Sequence, residues 1–280
     1  MSNPLFPIPP TTGKTAWKRL SPEVVTETFR VSQQAPATTE KIIVKYLESE
    51  AFIGDNESSE DAIKSSKLLQ LKLDEKREEL SALSDDVTND KRLELQLESA
   101  YILLDLDRRQ EAGQIGKAVL DQALDEELWL RAVEACDILY QSEQPESIKA
   151  LAHGIWLGVT FPIDPELSVA MLQHLIDETP DKSDGAAVAA VTACYVVDIR
   201  AQRQEREDLK FFTNQLLGQV ARRHSQVEEQ EIFDFWVERM ELNDPGKFLP
   251  RLAKVLEVII DGDWWFDRDA LRAKIPADEV

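Results

Sequence analysis

Residues able to do chemistry are few in this chain, and their spacing argues against most of it. Gly13-Lys14-Thr15 has the closing residues of a phosphate-binding loop, where lysine meets phosphate oxygens and a hydroxyl meets magnesium. Such a loop needs another glycine five positions earlier, and Ile8 stands there. It also needs a strand before it, whereas Pro7, Pro9 and Pro10 precede this one. The three histidines are His153, His174 and His224. His174 and Glu178 are four apart and share a helix face, and a neighbouring helix carrying His153 would complete a metal site. No Glu-x-x-His motif recurs in two helices, however, as a carboxylate-bridged di-metal bundle requires. Carboxylates are so abundant that same-face pairs arise from composition alone, and no histidine can be assigned to a serine or cysteine nucleophile. The expectation is therefore a non-enzymatic protein with no catalytic residue, no metal and no cofactor.

Composition narrows the partners. The chain has 280 residues and a formal charge of −21. A body this acidic repels nucleic-acid phosphates and anionic headgroups, so direct binding to either is not expected, and basic or mixed-charge proteins fit better. Charge is unevenly spread: residues 1–22 hold Lys14, Lys18 and Arg19 and no acid. This basic arm could lie on the acidic body of its own chain or on another subunit. Cys136 and Cys194 sit in apolar stretches without disulfide or zinc spacing, which predicts buried thiols in a reducing, cytoplasmic setting. No basic-then-apolar secretory pattern opens the sequence. The uncharged run 185–197 is 13 residues, too short to span a bilayer and suited to a buried core helix.

The elements that must position any site read as helices throughout. Residues 1–20 form a Pro-rich basic arm with an extended backbone. Ser21-Pro22-Glu23 marks a helix start, and the N-terminal helices of residues 21–92 would bury Val25 and Phe29, then Ile43, Tyr46 and Leu47. An acidic loop at 54–61 interrupts them. Leu69, Leu73, Leu80, Leu83 and Val87 then follow near-heptad spacing, with Lys76 at the missing position, so a packed hairpin helix is expected.

From residue 93 the pattern becomes regular. Leu93, Leu97, Ala100 and Leu104 form one stripe, Asp107-Arg108-Arg109 a polar turn, and Ala112, Ile115, Val119 and Ala123 the facing stripe. Ala112, Gly113 and Gly116 would let these two helices approach closely. A second pair runs through Ala132, Ala135 and Leu139, then Ile148, Leu151 and Ile155. A third starts at Asp164-Pro165-Glu166 and ends with a helix over 186–197. Later stripes fall at Leu209, Phe212, Leu216 and Val220, at Ile232, Phe235, Trp236 and Met240, and at Leu252, Val255, Leu256 and Ile259. The last is expected to start near Pro250 and stop at Gly262.

Ala100, Ala135 and Ala170 are spaced 35 residues apart on matching faces. Paired helices at a period of about 34 residues, and above all the stretch AYILLDLDRRQEAGQIGKAVL, resemble a tetratricopeptide repeat. The match is clearest over 93–124 and extends over 93–200. Departures are Ser147 where the family's small alanine recurs, a long connection before the third unit's second helix, and the absence from the first unit's first helix of the family's usual tryptophan, glycine and tyrosine, apart from Tyr101. The resemblance implies an all-α solenoid of stacked antiparallel hairpins over 93–262, with a concave groove for protein partners.

Large aromatics mark both ends. Trp264, Trp265 and Phe266 lie in an aromatic, acidic tail over 263–280, and Trp17 lies in the arm. The tail rings either cap the stripe Leu252–Ile259 or dock in a partner; capping is the expectation, because exposed adjacent tryptophans invite aggregation. With Tyr101 and His174 on the inner helices, these are the candidate partner contacts. The functional expectation is an adaptor or assembly factor. A structural subunit of a larger permanent complex is the alternative, and a helical metal-dependent enzyme the third.

Overall fold

A computed structural model describes residues 46–47, 59–84 and 86–275. The arm with Trp17 and the helix start at Ser21-Pro22-Glu23, with Val25, Phe29 and Ile43, lie outside the described residues. Among those described the chain is all-α, with eleven helices and no strand. None of these helices is long and apolar enough to cross a membrane.

The chain divides into two compact units. Unit A, described from Ser59 to Gly158, contains α1 (Ser59–Ser81), α2 (Asn89–Asp105), α3 (Arg109–Asp125), α4 (Trp129–Gln141) and most of α5 (Ser147–Thr160). Unit B, described over 46–47 and 159–275, contains α6 (Pro165–Asp177), α7 (Asp184–Arg200), α8 (Arg203–Ser225), α9 (Gln230–Arg239), α10 (Pro245–Ile260) and α11 (Arg268–Arg272).

In unit A, α1 begins at Ser59. Leu73 is its buried anchor. Thr88 caps α2, accepting the Lys91 N–H. Both α2 and α4 end without the usual glycine. Asp107, at φ 57°, closes α2 in the left-handed region, and its neighbour Arg108 N–H reaches back to the Leu103 carbonyl at 2.8 Å. The turn between α2 and α3 therefore falls where the polar Asp107-Arg108-Arg109 triplet predicts it.

The small residues of α3 act differently from their expected role. A Cβ on Gly116 would lie 3.2 Å from Ile138 Cγ2 and 3.3 Å from the Ala135 carbonyl, and one on Gly113 would lie 3.1 Å from Ser142 Oγ. Their close approach is to α4 and the turn after it, not to α2. Ala100 and Ala135 are fully buried. Ile148, expected in the stripe of α5, is exposed.

Unit B is built around α7. Every residue from Gly185 to Val197 is buried, and α6, α8 and α10 all pack on this helix. Asp164 caps α6 by accepting the Glu166 N–H at 2.9 Å, with Pro165 at the first helical position as predicted. Tyr46 and Leu47, expected on a helix face, form a turn, and the Tyr46 N–H donates to the Glu166 carboxylate.

Two elements differ from their predicted frames. α10 starts at Pro245 behind an Asp244 cap, so Pro250 lies inside the helix. Pro250 costs one backbone hydrogen bond there, near enough to the start for the helix to continue. In α9 the buried face is Phe233, Trp236 and Val237, while Ile232 and Phe235 point outward. Both faces satisfy i, i+3, i+4 spacing, so periodicity alone could not choose between them.

Candidate partner-binding surfaces

Unit A presents two surfaces. The first joins α2 to α4. Buried Arg131 bonds Asp90 at 2.9 Å, Glu94 at 3.1 Å and Glu134 at 2.8 Å, so one guanidinium ties the start of α2 to α4. Burial pulls its pKa down, but bonds to Asp90 and the charge of Glu134 outweigh that and raise it. Further along, Tyr101 donates its hydroxyl to Asp137 at 2.8 Å, and Gln141 donates to the same oxygen. Tyr101 is thus a half-buried, fixed ring rather than a mobile contact.

The second surface is a groove of about 430 Å³ between α1, α2 and α3. Half-buried Leu80 and Ile115 contribute its apolar lining. Arg77 and Glu111 face each other there at 3.8 Å, and Arg108 holds Glu111 at 2.6 Å. The bond from Arg108 keeps the Glu111 carboxyl below its usual range.

In unit B the aromatic tail follows α10. Asp261 and Gly262, at φ 53° and 78°, turn the chain back, and Gly262 takes this conformation without steric cost. Trp264 then donates its indole N–H to Glu257 at 3.3 Å. Arg268 covers its face 4.0 Å from the ring centroid and also bonds Glu257 at 3.0 Å. Phe266 leans on Trp264 with centroids 5.9 Å apart. These rings line an open groove of about 490 Å³ with Lys254 and Arg272.

Trp264, Trp265 and Phe266 are all half-buried. The apolar stripe of α10 meets α7: Leu252 and Leu256 are buried, and Val255 Cγ2 lies 3.5 Å from a Cβ built on Gly185. Trp264 engages Glu257 of α10.

His174, in α6, is only 8% exposed and offers little surface to a partner. His153 is fully buried in unit A and donates from Nδ1 to the Lys149 carbonyl at 2.6 Å. Among the described residues no three His, Cys, Asp or Glu side chains group to hold a metal ion. Cys136 and Cys194 are buried thiols; burial pushes Cys194 up to about 12, and Cys136 higher.

One polar constellation escaped the sequence reading. His224 Nε2 lies 3.1 Å from Asp184, and its Nδ1 lies 2.6 Å from Ser225 Oγ and 3.2 Å from the Trp236 indole nitrogen. Arg251 completes the chain, bonding Asp184 at 3.3 Å. An indole nitrogen only donates, so Nδ1 is the acceptor and Nε2 carries the proton to Asp184. A nucleophilic serine needs that Nδ1 lone pair for itself, and Trp236 occupies it. The arrangement links α7, α8, α9 and α10. Asp184 and His224 are 40 residues apart, and no local motif announces the pair.

Compared with protein-family profiles, curated proteins and solved structures, the chain finds no match.

Proposed function

We propose that this chain is a non-enzymatic protein-binding adaptor or assembly factor that uses a tetratricopeptide-like helical surface in unit A. The observation that carries this reading is the double engagement of α2. It packs on α3 within its own hairpin and on α4, the first helix of the next, as in a repeat array. Buried alanines at 100 and 135 and the glycine contacts of α3 on α4 support the same register. The exposed acids of α2, with Tyr101, and the groove beside Leu80 and Ile115 are the contact surfaces. The partner is a basic or mixed-charge protein.

The test is purification of the tagged chain from its native source at low salt, with crosslinking of what accompanies it. The expected result is a stoichiometric protein partner crosslinked to α1–α4, lost when Leu80→Asp and Ile115→Asp are combined without a change in helical content. Absence of a stoichiometric partner overturns the reading. Crosslinks confined to the Trp264–Phe266 groove would move the surface to unit B.

A further inference from the structure

α9 is apolar on two sides. Phe233, Trp236 and Val237 face inward, and Trp236 is held by His224. Ile232 and Phe235, three residues apart and so on one face, are 50% and 62% exposed. Around them Glu229, Glu231, Asp234 and Glu238 are all exposed, and none forms an ion pair among the described residues. Several acids elsewhere carry a cation: Glu94 and Glu134 with Arg131, Asp198 with Arg206, Glu257 with Arg268. The face thus combines an aromatic anchor, a branched aliphatic neighbour and a net-acidic rim, four carboxylates beside the single exposed cation of Arg239, on a helix that is fixed from behind.

We propose that the outward face of α9 docks a lysine- or arginine-rich amphipathic helix of another protein. Its apolar stripe would cover Ile232 and Phe235, and its flanking cations would meet Glu231, Asp234 and Glu238. Charge complementarity selects this occupant. Nucleic acid and anionic lipid carry the wrong sign. A second copy pairing through the same face would oppose like carboxylates across a two-fold axis. The inference goes beyond the adaptor surface of unit A and fails separately from it.

The probe is a labelled synthetic peptide with Leu and Phe at alternating three- and four-residue spacing and Lys between them. Its counterpart has Glu for every Lys. Binding to the full chain is followed by fluorescence anisotropy. The basic peptide should bind saturably, weaken as salt rises, and bind at least about tenfold more weakly to Phe235→Ser, the loss typical of a central aromatic anchor. Glu231→Gln combined with Asp234→Gln should weaken binding and flatten its salt dependence. The acidic peptide should not bind. Ile232→Ser serves as a second anchor variant if Phe235→Ser does not fold.

Equal affinity of the parent and both anchor variants would overturn the proposal, since binding would then reflect net charge alone. Failure of the basic peptide to bind at low salt would also overturn it. So would a concentration-dependent dimer abolished by Phe235→Ser, which would give the face to a second copy. A native partner retained by Phe235→Ser and lost on altering Leu80 and Ile115 would sink this inference and leave the adaptor reading standing.

Discussion

Unit A and unit B bury their central helices by opposite means. In α4, Arg131, Glu134 and Asp137 are buried polar residues, matched to partners that include two acids and a tyrosine of α2. In α7, no charged side chain occurs between Gly185 and Val197, and Thr192 satisfies its hydroxyl on its own helix, at the Val188 carbonyl. Buried ion pairs add little net stability but select one register, because a shifted helix strands charges. An apolar helix packed by three neighbours gains stability without such selection. Unit A therefore fixes its central helix through polar pairs, and unit B through apolar burial.

The contrast can be broken from either side. Phe248 is fully buried and meets Tyr195 edge-on at 5.8 Å. Phe248→Ala should cost about 3–5 kcal/mol in urea unfolding, from the transfer and cavity contributions together. A loss below about 1 kcal/mol would mean that this core collapses around the gap.

Arg131→Met should come next, at about 2–4 kcal/mol. It leaves Glu134, whose side chain is 3% exposed, without its cation, while the greater exposure of Asp90, at 49%, moderates the effect. Adding Glu134→Gln should recover part of the loss. A double variant no better than Arg131→Met would show that the ladder is held by Asp90 and Glu94 alone.

Ala135→Phe should destabilise by about 1–3 kcal/mol, because Gly116 of α3 approaches the Ala135 backbone too closely to admit a ring. An unchanged melting temperature would misplace the α3–α4 seam. Trp236→Phe keeps most of the ring but loses the indole bond to His224, and about 1 kcal/mol should follow. The same substitution after His224→Ala should cost less, and equal costs would uncouple the two side chains.

The smallest perturbation is chemical. Each unit carries one buried cysteine, Cys136 in A and Cys194 in B. Neither should react with a disulfide reagent at mildly alkaline pH in the folded chain, because raised pKa values keep the thiols protonated. Both should react after unfolding. Mass-resolved labelling in intermediate urea would rank the two units by their local opening, and equal rates would erase the contrast.

Helix existence is a local property, and it was readable. The Asp164-Pro165 start and the 93–124 hairpin follow from caps, turn residues and 3.6-residue periodicity, which act within one or two turns. The uncharged run 185–197 likewise announces a helix buried on all sides. Ambiguity entered where two local solutions were equally good. Pro245 and Pro250 can each open a helix, and only the Asp244 cap, which accepts the Gly246 N–H at 2.9 Å, places the start at the first. Ile232–Phe235 and Phe233–Trp236 are equally valid stripes until His224 of α8, itself held by Asp184 of α7, meets Trp236.

The same limit applies to the surfaces. Ala100, Ala135, Gly113 and Gly116 mark close helix packing by their size alone, yet which helix approaches is set by the contacts of α3 with Ile138 and Ala135. Trp264–Phe266 were legible as large rings near an end, but only the fold puts Glu257 and Arg268 around Trp264 and sets the α10 stripe against α7. Sequence spacing determines which residues share a face of one helix. It carries no term for the partner of that face, because burial and charge pairing are energies of residues brought together from distant positions, and tertiary packing decides them.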